Sequence, residues 1–132
     1  MKNNLLYLFF SLVLLMVSFA LPQIALAGMP ACEAECLKCA DVCDKTAAQC
    51  KKQGGAHADA AHLKHLEDCA KLCRASADFM KRDSDLSSKV CALCQEACNK
   101  CAESCDTIKD KSMKDCADEC RKCATSCKSM GG

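Results

Sequence analysis

Regularly spaced cysteines are the residues of this chain that could do chemistry. Sixteen cysteines occur among 132 residues, and most are separated by three or four positions. Because this alternation averages about 3.5 residues, each cluster forms one stripe along one face of a helix. A bundle of such helices would direct a column of thiols at its axis, where leucine normally packs. The candidate metal ligands are Cys32, Cys36, Cys39, Cys43, Cys50, Cys69, Cys73, Cys91, Cys94, Cys98, Cys101, Cys105, Cys116, Cys120, Cys123 and Cys127.

The C-x-x-x-C pairs favour metal binding over disulfides within a helix. Seven such pairs occur, and Cys32 with Cys36 is the first. Residues four apart on a helix hold their Cβ atoms about 5 to 6 Å apart, whereas a disulfide needs about 3.5 to 4.5 Å. A metal ion that bridges two thiolates tolerates the wider separation. The pattern therefore suits two-coordinate binding of a soft ion.

Charge balance indicates which metal the thiols would bind. Sixteen buried thiolates would carry about sixteen negative charges, and burying unpaired charge is prohibitive. Zinc in four-sulfur sites would supply only about eight positive charges. Cu(I) at about one ion per thiolate would neutralise the column, and it favours sulfur at low coordination number. The sequence therefore predicts multiple Cu(I) ions.

A disulfide scaffold is the alternative, since small secreted proteins with an even number of cysteines usually form one. Two C-x-x-x-C pairs on antiparallel helices can staple a helical hairpin. Eight bridges among the sixteen cysteines would over-determine four helices, so the sequence favours metal and leaves the scaffold as the alternative.

Residues 1–27 are predicted to be a signal peptide that is removed. Lys2 precedes an apolar run at 5–21, and Ala25-Leu26-Ala27 is a small-x-small cleavage motif. An uncleaved membrane anchor is the alternative. Cleavage would leave a mature chain of residues 28–132, exported to the periplasm or secreted.

The mature chain has balanced charge and little hydrocarbon. It carries 17 basic and 17 acidic residues, so its charge favours neither nucleic acid nor a membrane surface once the leader is gone. Phe79 is its only aromatic residue, beside nine large aliphatic residues. Burial of these side chains cannot comfortably offset the cost in backbone entropy, which is about 1 to 2 kcal/mol per ordered residue. Metal or disulfides are therefore expected to stabilise the fold.

The predicted fold is all-α, an antiparallel up-down-up-down four-helix bundle with a cysteine-lined core. Pro30 suits a first helical turn, Gly54-Gly55 ends a helix, and Asp59 is a candidate N-cap. Ser112 with Asp115 resembles a capping box. Short links require consecutive helices to be antiparallel. The predicted helices are about residues 30–53, 59–82, 86–108 and 112–130.

An antiparallel bundle brings different residues together at its two ends. One end is predicted to gather Cys50, His62, His65, Cys105 and Met113. The other is predicted to gather Cys32, Met80, Cys91, Cys127 and Met130. Imidazole and thioether bind more exchangeably than thiolate, so His62, His65 and Met113 are candidates for the place where metal enters. The alternative is that such methionines fill gaps in the core and the histidines are simply exposed.

The cysteine-lined helices, the repeated C-x-x-x-C and the leader resemble the bacterial copper storage proteins. The resemblance covers the whole mature chain. It implies a four-helix bundle, often a tetramer, that holds many Cu(I) ions, mainly on cysteine pairs, with histidine and methionine at one open end. All sixteen cysteines match the inward stripe, and His62, His65 and Met113 match the open end. The leader departs from the family pattern, because no twin arginine is present.

The predicted function is a non-catalytic Cu(I) store that supplies copper chaperones or copper enzymes. Copper detoxification with the same binding, and a disulfide-stabilised structural module, are the alternatives. An enzyme is not expected, since the sequence shows no Ser-His-Asp grouping, phosphate loop or paired-acid pocket.

Overall fold

The computed structural model describes residues 23–131, which form four α-helices and one 3-10 turn and contain no strand. Consecutive helices pack against each other and α1 packs against α4, which closes the predicted up-down-up-down bundle. Helices α1 and α3, like α2 and α4, are therefore diagonally opposite. The elements are α1 (Gln23–Gln53), the turn η1 (Gly55–Ala58), α2 (Ala60–Lys81), α3 (Ser87–Asp106) and α4 (Lys111–Met130).

The helix caps agree with the sequence for α2 and differ for α4. Asp59 caps α2, and its carboxylate accepts hydrogen bonds from the backbone N–H groups of Ala61 and His62. The cap of α4 is Asp110, whose carboxylate accepts from the N–H of Met113 at 3.0 Å. Ser112 lies inside the first turn and donates to Asp110 at 2.8 Å. The predicted cap at Ser112 is therefore wrong: the backbone is extended at Asp110, so the cap lies two residues earlier and the Asp110 carboxylate accepts from an N–H of the first turn.

The first connection requires glycine. Gly54 and Gly55 have φ angles of +74° and +57°, a left-handed backbone that costs side-chain-bearing residues about 1 to 2 kcal/mol. They end α1 and start η1, so the chain reverses within a few residues. This confirms the helix end predicted at Gly54-Gly55.

Pro30 lies inside α1, whereas the sequence predicts it in the first turn. The helix begins at Gln23 rather than near residue 30. Proline has no N–H to donate and is tolerated in a first turn but disfavoured in a helix interior. Cleavage after Ala27 would make Gly28 the first residue of the helix and would return Pro30 to its first turn.

The core is made mainly of sulfur and alanine. All sixteen cysteines have no exposed surface, and most other buried apolar positions are alanine. Leu66 and Met113 are the largest fully buried side chains, whereas Leu37 and Leu93 are 46% and 55% exposed. The small hydrocarbon content seen in the sequence is therefore smaller still inside the bundle.

Ion pairs on the outside of the bundle contribute little to its stability. Arg74 joins Asp44 across α1 and α2 at 2.6 Å, and Lys38 joins Glu119 across α1 and α4 at 2.7 Å. Exposed pairs of this kind are worth about 0 to 1 kcal/mol each. Within residues 23–131, no helix is both long enough and apolar enough to cross a membrane.

Candidate metal centre

The cysteine stripes of the four helices meet in one column of sulfur. Neighbouring helices bring Sγ atoms to 3.5 Å between Cys36 and Cys127 and between Cys69 and Cys98. Diagonal helices also meet, since the Sγ atoms of Cys73 and Cys123 are 3.7 Å apart. Sulfur from all four helices therefore reaches the axis, and the spacing of three and four residues explains why every cysteine points there.

The sulfur atoms form five groups whose members lie within 4.8 Å of one another. Metal–thiolate bonds of about 2.3 Å place the sulfurs of a tetrahedral site about 3.8 Å apart, so such groups can hold metal. Only Cys50 and Cys105 belong to none of them. The groups are Cys36/Cys94/Cys123/Cys127, Cys39/Cys73/Cys98/Cys123, Cys39/Cys43/Cys69/Cys120, Cys43/Cys101/Cys116/Cys120 and Cys32/Cys91/Cys127.

Adjacent groups share sulfur atoms. Cys39 and Cys123 each belong to two groups, as do Cys43, Cys120 and Cys127. Filling neighbouring groups requires a shared thiolate to bridge two ions, so the groups cannot all be filled as separate sites. The arrangement instead suits a continuous series of bridged ions.

All sixteen cysteines are free thiols. The structure therefore gives no support to the disulfide scaffold that the sequence left as an alternative. Thiols in the middle of the column contact one another at 3.5 to 4.0 Å and can donate to or accept from neighbouring sulfur atoms.

Burial and neighbouring thiols act in opposite directions on the cysteine pKa values. Burial raises the pKa of the Cys91 thiol to about 11 and also raises that of Cys50. Hydrogen bonds from Cys127 and Cys36 lower the pKa of Cys32 to about 3. Most of the column cannot ionise together, because like charges at these distances repel. Metal binding therefore releases the thiol protons, and the bound cation supplies the positive charge that balances each thiolate.

Cys50, His62 and Met113 meet at the end of the column where α1 ends and α4 begins. The Cys50 Sγ lies 3.6 Å from His62 Nε2 and 3.9 Å from Met113 Sδ. His62 Nδ1 is 2.8 Å from the Ser104 hydroxyl. Burial lowers the pKa of His62, so its imidazole is neutral. In the tautomer whose Nδ1–H donates to the Ser104 hydroxyl, the Nε2 lone pair faces Cys50, as in a metal-binding histidine.

His65 does not join this cluster. It lines a surface cleft of about 400 Å³ between α2 and α3, together with Leu93 and Lys100. The sulfur stripe of α2 runs through His62, Leu66 and Cys69, which leaves His65 on its outer edge. The structure thus brings together two of the three residues that the sequence proposed for this end.

Two features of this end were missed by the sequence analysis. Ser104 orients His62, and His57 Nε2 in η1 lies 2.6 Å from the carboxylate of Asp110. The second contact ties the α1–α2 connection to the start of α4. The sequence could have predicted that these two connections approach each other, because both must lie at the same end of an antiparallel bundle.

The opposite end carries three cysteines and three methionines. Cys32, Cys91 and Cys127 form the three-sulfur group there. Met80 is 3% exposed, and Met29 and Met130 are partly buried against the core. Met29 was not selected from the sequence, although it lies three residues before Cys32 and therefore on the same face of α1.

Comparison with known proteins agrees with this geometry. A crystal structure of a Nitrosospira multiformis protein is 37% identical and superposes with a TM-score of 0.76 over 80% of this chain and 95% of that chain. Cu(I)-bound copper storage protein BsCsp3 is 27% identical, with a TM-score of 0.75 over 80% of this chain and 99% of that chain.

The apo form of copper storage protein 3 from Bacillus subtilis is also 27% identical, with a TM-score of 0.72 over 78% of this chain and 98% of that chain. No match is found among the curated proteins. A model of the copper storage protein family matches residues 26–132. With that match over the sulfur-lined bundle, the chain belongs to the copper storage protein family.

Proposed function

We propose that this protein stores many Cu(I) ions on the thiolates of its central column. The sharing of sulfur atoms between neighbouring four-sulfur groups is the observation that carries the proposal. Thiolates that bridge ions allow a high ratio of metal to sulfur. A chaperone or an enzyme needs one or two sites, whereas the column described here runs the length of the bundle.

Charge favours Cu(I) over zinc within this column. Every cysteine is fully buried, so each thiolate needs a compensating positive charge close by. About one monovalent ion per thiolate achieves this, while separate four-sulfur zinc sites leave a large negative surplus. The outer ion pairs lie on the solvent side of the helices and cannot supply the missing charge.

Cys50, His62 and Met113 complete the column at one end as a mixed sulfur and nitrogen site. Their donor atoms lie within 4 Å of Cys50 Sγ, and neutral imidazole and thioether are both ligands that Cu(I) accepts. Such ligands release metal more readily than thiolate does. They suit a store that returns copper to a chaperone or enzyme, and the protein itself has no catalytic role in this proposal.

Titration of the fully reduced protein with Cu(I) is expected to reach saturation near one ion per cysteine. Each added ion replaces thiol protons in a buried column, so binding continues until the sulfur is neutralised. Native mass spectrometry with a competing Cu(I) chelator measures the count. Saturation at one or two ions would refute storage.

A single substitution in the middle of the column provides the control for this titration. Cys98 lies beside Cys69, Cys73 and Cys94, so Cys98→Ala removes one of many bridging sulfurs. The capacity is expected to fall by about one ion. Loss of all binding would instead indicate one cooperative cluster that needs every ligand.

We also propose that the chain is exported after cleavage behind Ala27 and that it assembles as a homo-oligomer, a tetramer by family resemblance. The position of Pro30 supports the cleavage, because proline suits the first turn of the shortened helix. The intact mass of protein isolated from the periplasm is expected to correspond to residues 28–132. A mass that includes residues 1–27 would contradict cleavage.

A further inference from the structure

We propose that the outer face of α2 and α3 is the contact between two copies of this chain, related by a two-fold axis along the groove between these helices. This inference rests on the homo-oligomer proposed above and names the face that forms it, whereas copper storage does not depend on it. The apolar residues of this α2/α3 face are Leu72 and Phe79 on α2, and Leu86, Val90, Leu93 and Ala97 at the start of α3 and along it.

The spacing of the residues on α3 shows why this face is apolar. Leu86, Val90, Leu93 and Ala97 are separated by 4, 3 and 4 positions, the same rule that the cysteines follow. The helix therefore carries a second stripe beside the cysteine stripe, and this second stripe lies outside the core. Leu86 is 44% exposed and Leu93 is 55% exposed. A single exposed leucine needs no explanation, but two on one stripe indicate a contact surface.

Ion pairs cover the other grooves of the bundle but not this one. The other three pairs of neighbouring helices are joined on the outside by ion pairs, as Arg121 joins Asp106 between α4 and α3. Within residues 23–131, no ion pair joins α2 to α3. The groove between α2 and α3 instead contains a surface cleft of about 400 Å³.

The shape of the face suits a second copy of itself. A two-fold contact uses the same patch on both chains, so the patch needs a projection and a recess. Leu93 projects beside the cleft, and Leu72 and Ala97 line the recess, as does His65, which lies outside the sulfur column. With 22 and 20 residues, the two helices form a face about 30 Å long and about 20 Å wide. This is close to the roughly 800 Å² that each partner contributes to a stable interface.

The charges around the cleft also favour a second copy. Each helix contributes one acid and one base, namely Asp68 and Lys71 on α2 and Glu96 and Lys100 on α3. The cysteine contacts between the helices place Asp68 at the height of Lys100 and Lys71 at the height of Glu96. The two-fold rotation lays α2 of one copy over α3 of the other, so each acid faces a base. A partner with a strong charge of one sign gains nothing from this neutral rim.

Analytical ultracentrifugation of the Leu93→Glu variant tests the face. A carboxylate cannot enter an apolar cleft unpaired, so association of the copies is expected to weaken at least about 30-fold, the effect of losing one hot-spot side chain. Leu37→Glu is the matched control, because Leu37 is 46% exposed on α1, away from this face. It is expected to associate as the wild-type protein does.

Both variants are expected to keep the wild-type helix content and the same number of Cu(I) ions per chain, because the sulfur column lies within each copy. Folding stabilities of Leu93 variants are compared at dilutions at which the chain is monomeric, since association adds to apparent stability. Undiminished association of Leu93→Glu, or the same weakening in Leu37→Glu, would overturn the proposal.

Exchanging charges around the cleft gives a result that misfolding does not mimic. Lys71→Glu/Lys100→Glu makes the rim acidic, and Asp68→Lys/Glu96→Lys makes it basic. Each double variant alone is expected to associate less than the wild-type protein because like charges face each other, and an equal mixture is expected to associate again. A mixture that associates no more than the separate variants would overturn the proposal. Wild-type protein that is monomeric and still binds many Cu(I) ions would overturn it too and leave storage intact.

Discussion

Loading the reduced protein with Cu(I) is expected to raise its thermal unfolding midpoint by at least about 20 °C, which is the effect expected from a single site. The interior holds sulfur and alanine, with Leu66 and Met113 as the largest fully buried side chains. A ligand at a thousand times its Kd adds about 4 kcal/mol per site that exists only in the folded state. Each kcal/mol moves the midpoint of a domain this size by about 4 to 8 °C.

Far-UV circular dichroism under anaerobic conditions measures this shift. Mg²⁺ at the same concentration is the control, since this hard cation prefers oxygen ligands and should leave the midpoint unchanged. Removing Cu(I) with a chelator should restore the original midpoint. An unfolding midpoint that does not respond to Cu(I) would mean that the sulfur column does not contribute to stability through metal.

The sulfur column could be predicted from the sequence because helical geometry alone determines it. A repeat of three and four residues keeps each cysteine on one face, and all sixteen are indeed fully buried. The antiparallel order was equally constrained, because the connections are short. That order also correctly placed Cys50, His62 and Met113 at the same end.

Contacts that depend on the register and rotation of one helix against another could not be predicted. Which sulfurs form a group with Cys39 depends on the relative heights of all four helices, and no local pattern specifies these heights. The hydrogen bond between His62 and Ser104 also depends on how the helices are rotated against one another, as does the position of His65 outside the column. The cap of α4 was missed because Asp110 and Ser112, two residues apart, are both residue types that cap helices, and the backbone before the helix decides between them.

Leu66→Ala is expected to destabilise the metal-free protein by about 2 to 5 kcal/mol, the usual cost of emptying a packed leucine site. Leu66 is the one large aliphatic residue among the fully buried side chains of the described chain. It lies one turn from His62 and three residues from Cys69 on the inward stripe of α2. The substitution removes hydrocarbon from a core that contains little of it. Urea unfolding of the reduced apoprotein measures the change in the free energy of unfolding.

Leu93→Ala is the matched control, because Leu93 is 55% exposed and its truncation should change the free energy of unfolding by no more than about 0.5 kcal/mol. The difference between the two variants reports whether the empty bundle is packed around Leu66. A cost for Leu66→Ala no greater than that for Leu93→Ala would show that the side chain is not held in a close-packed site without metal. The apoprotein would then be a loosened bundle, and Cu(I) would order the core as well as fill it.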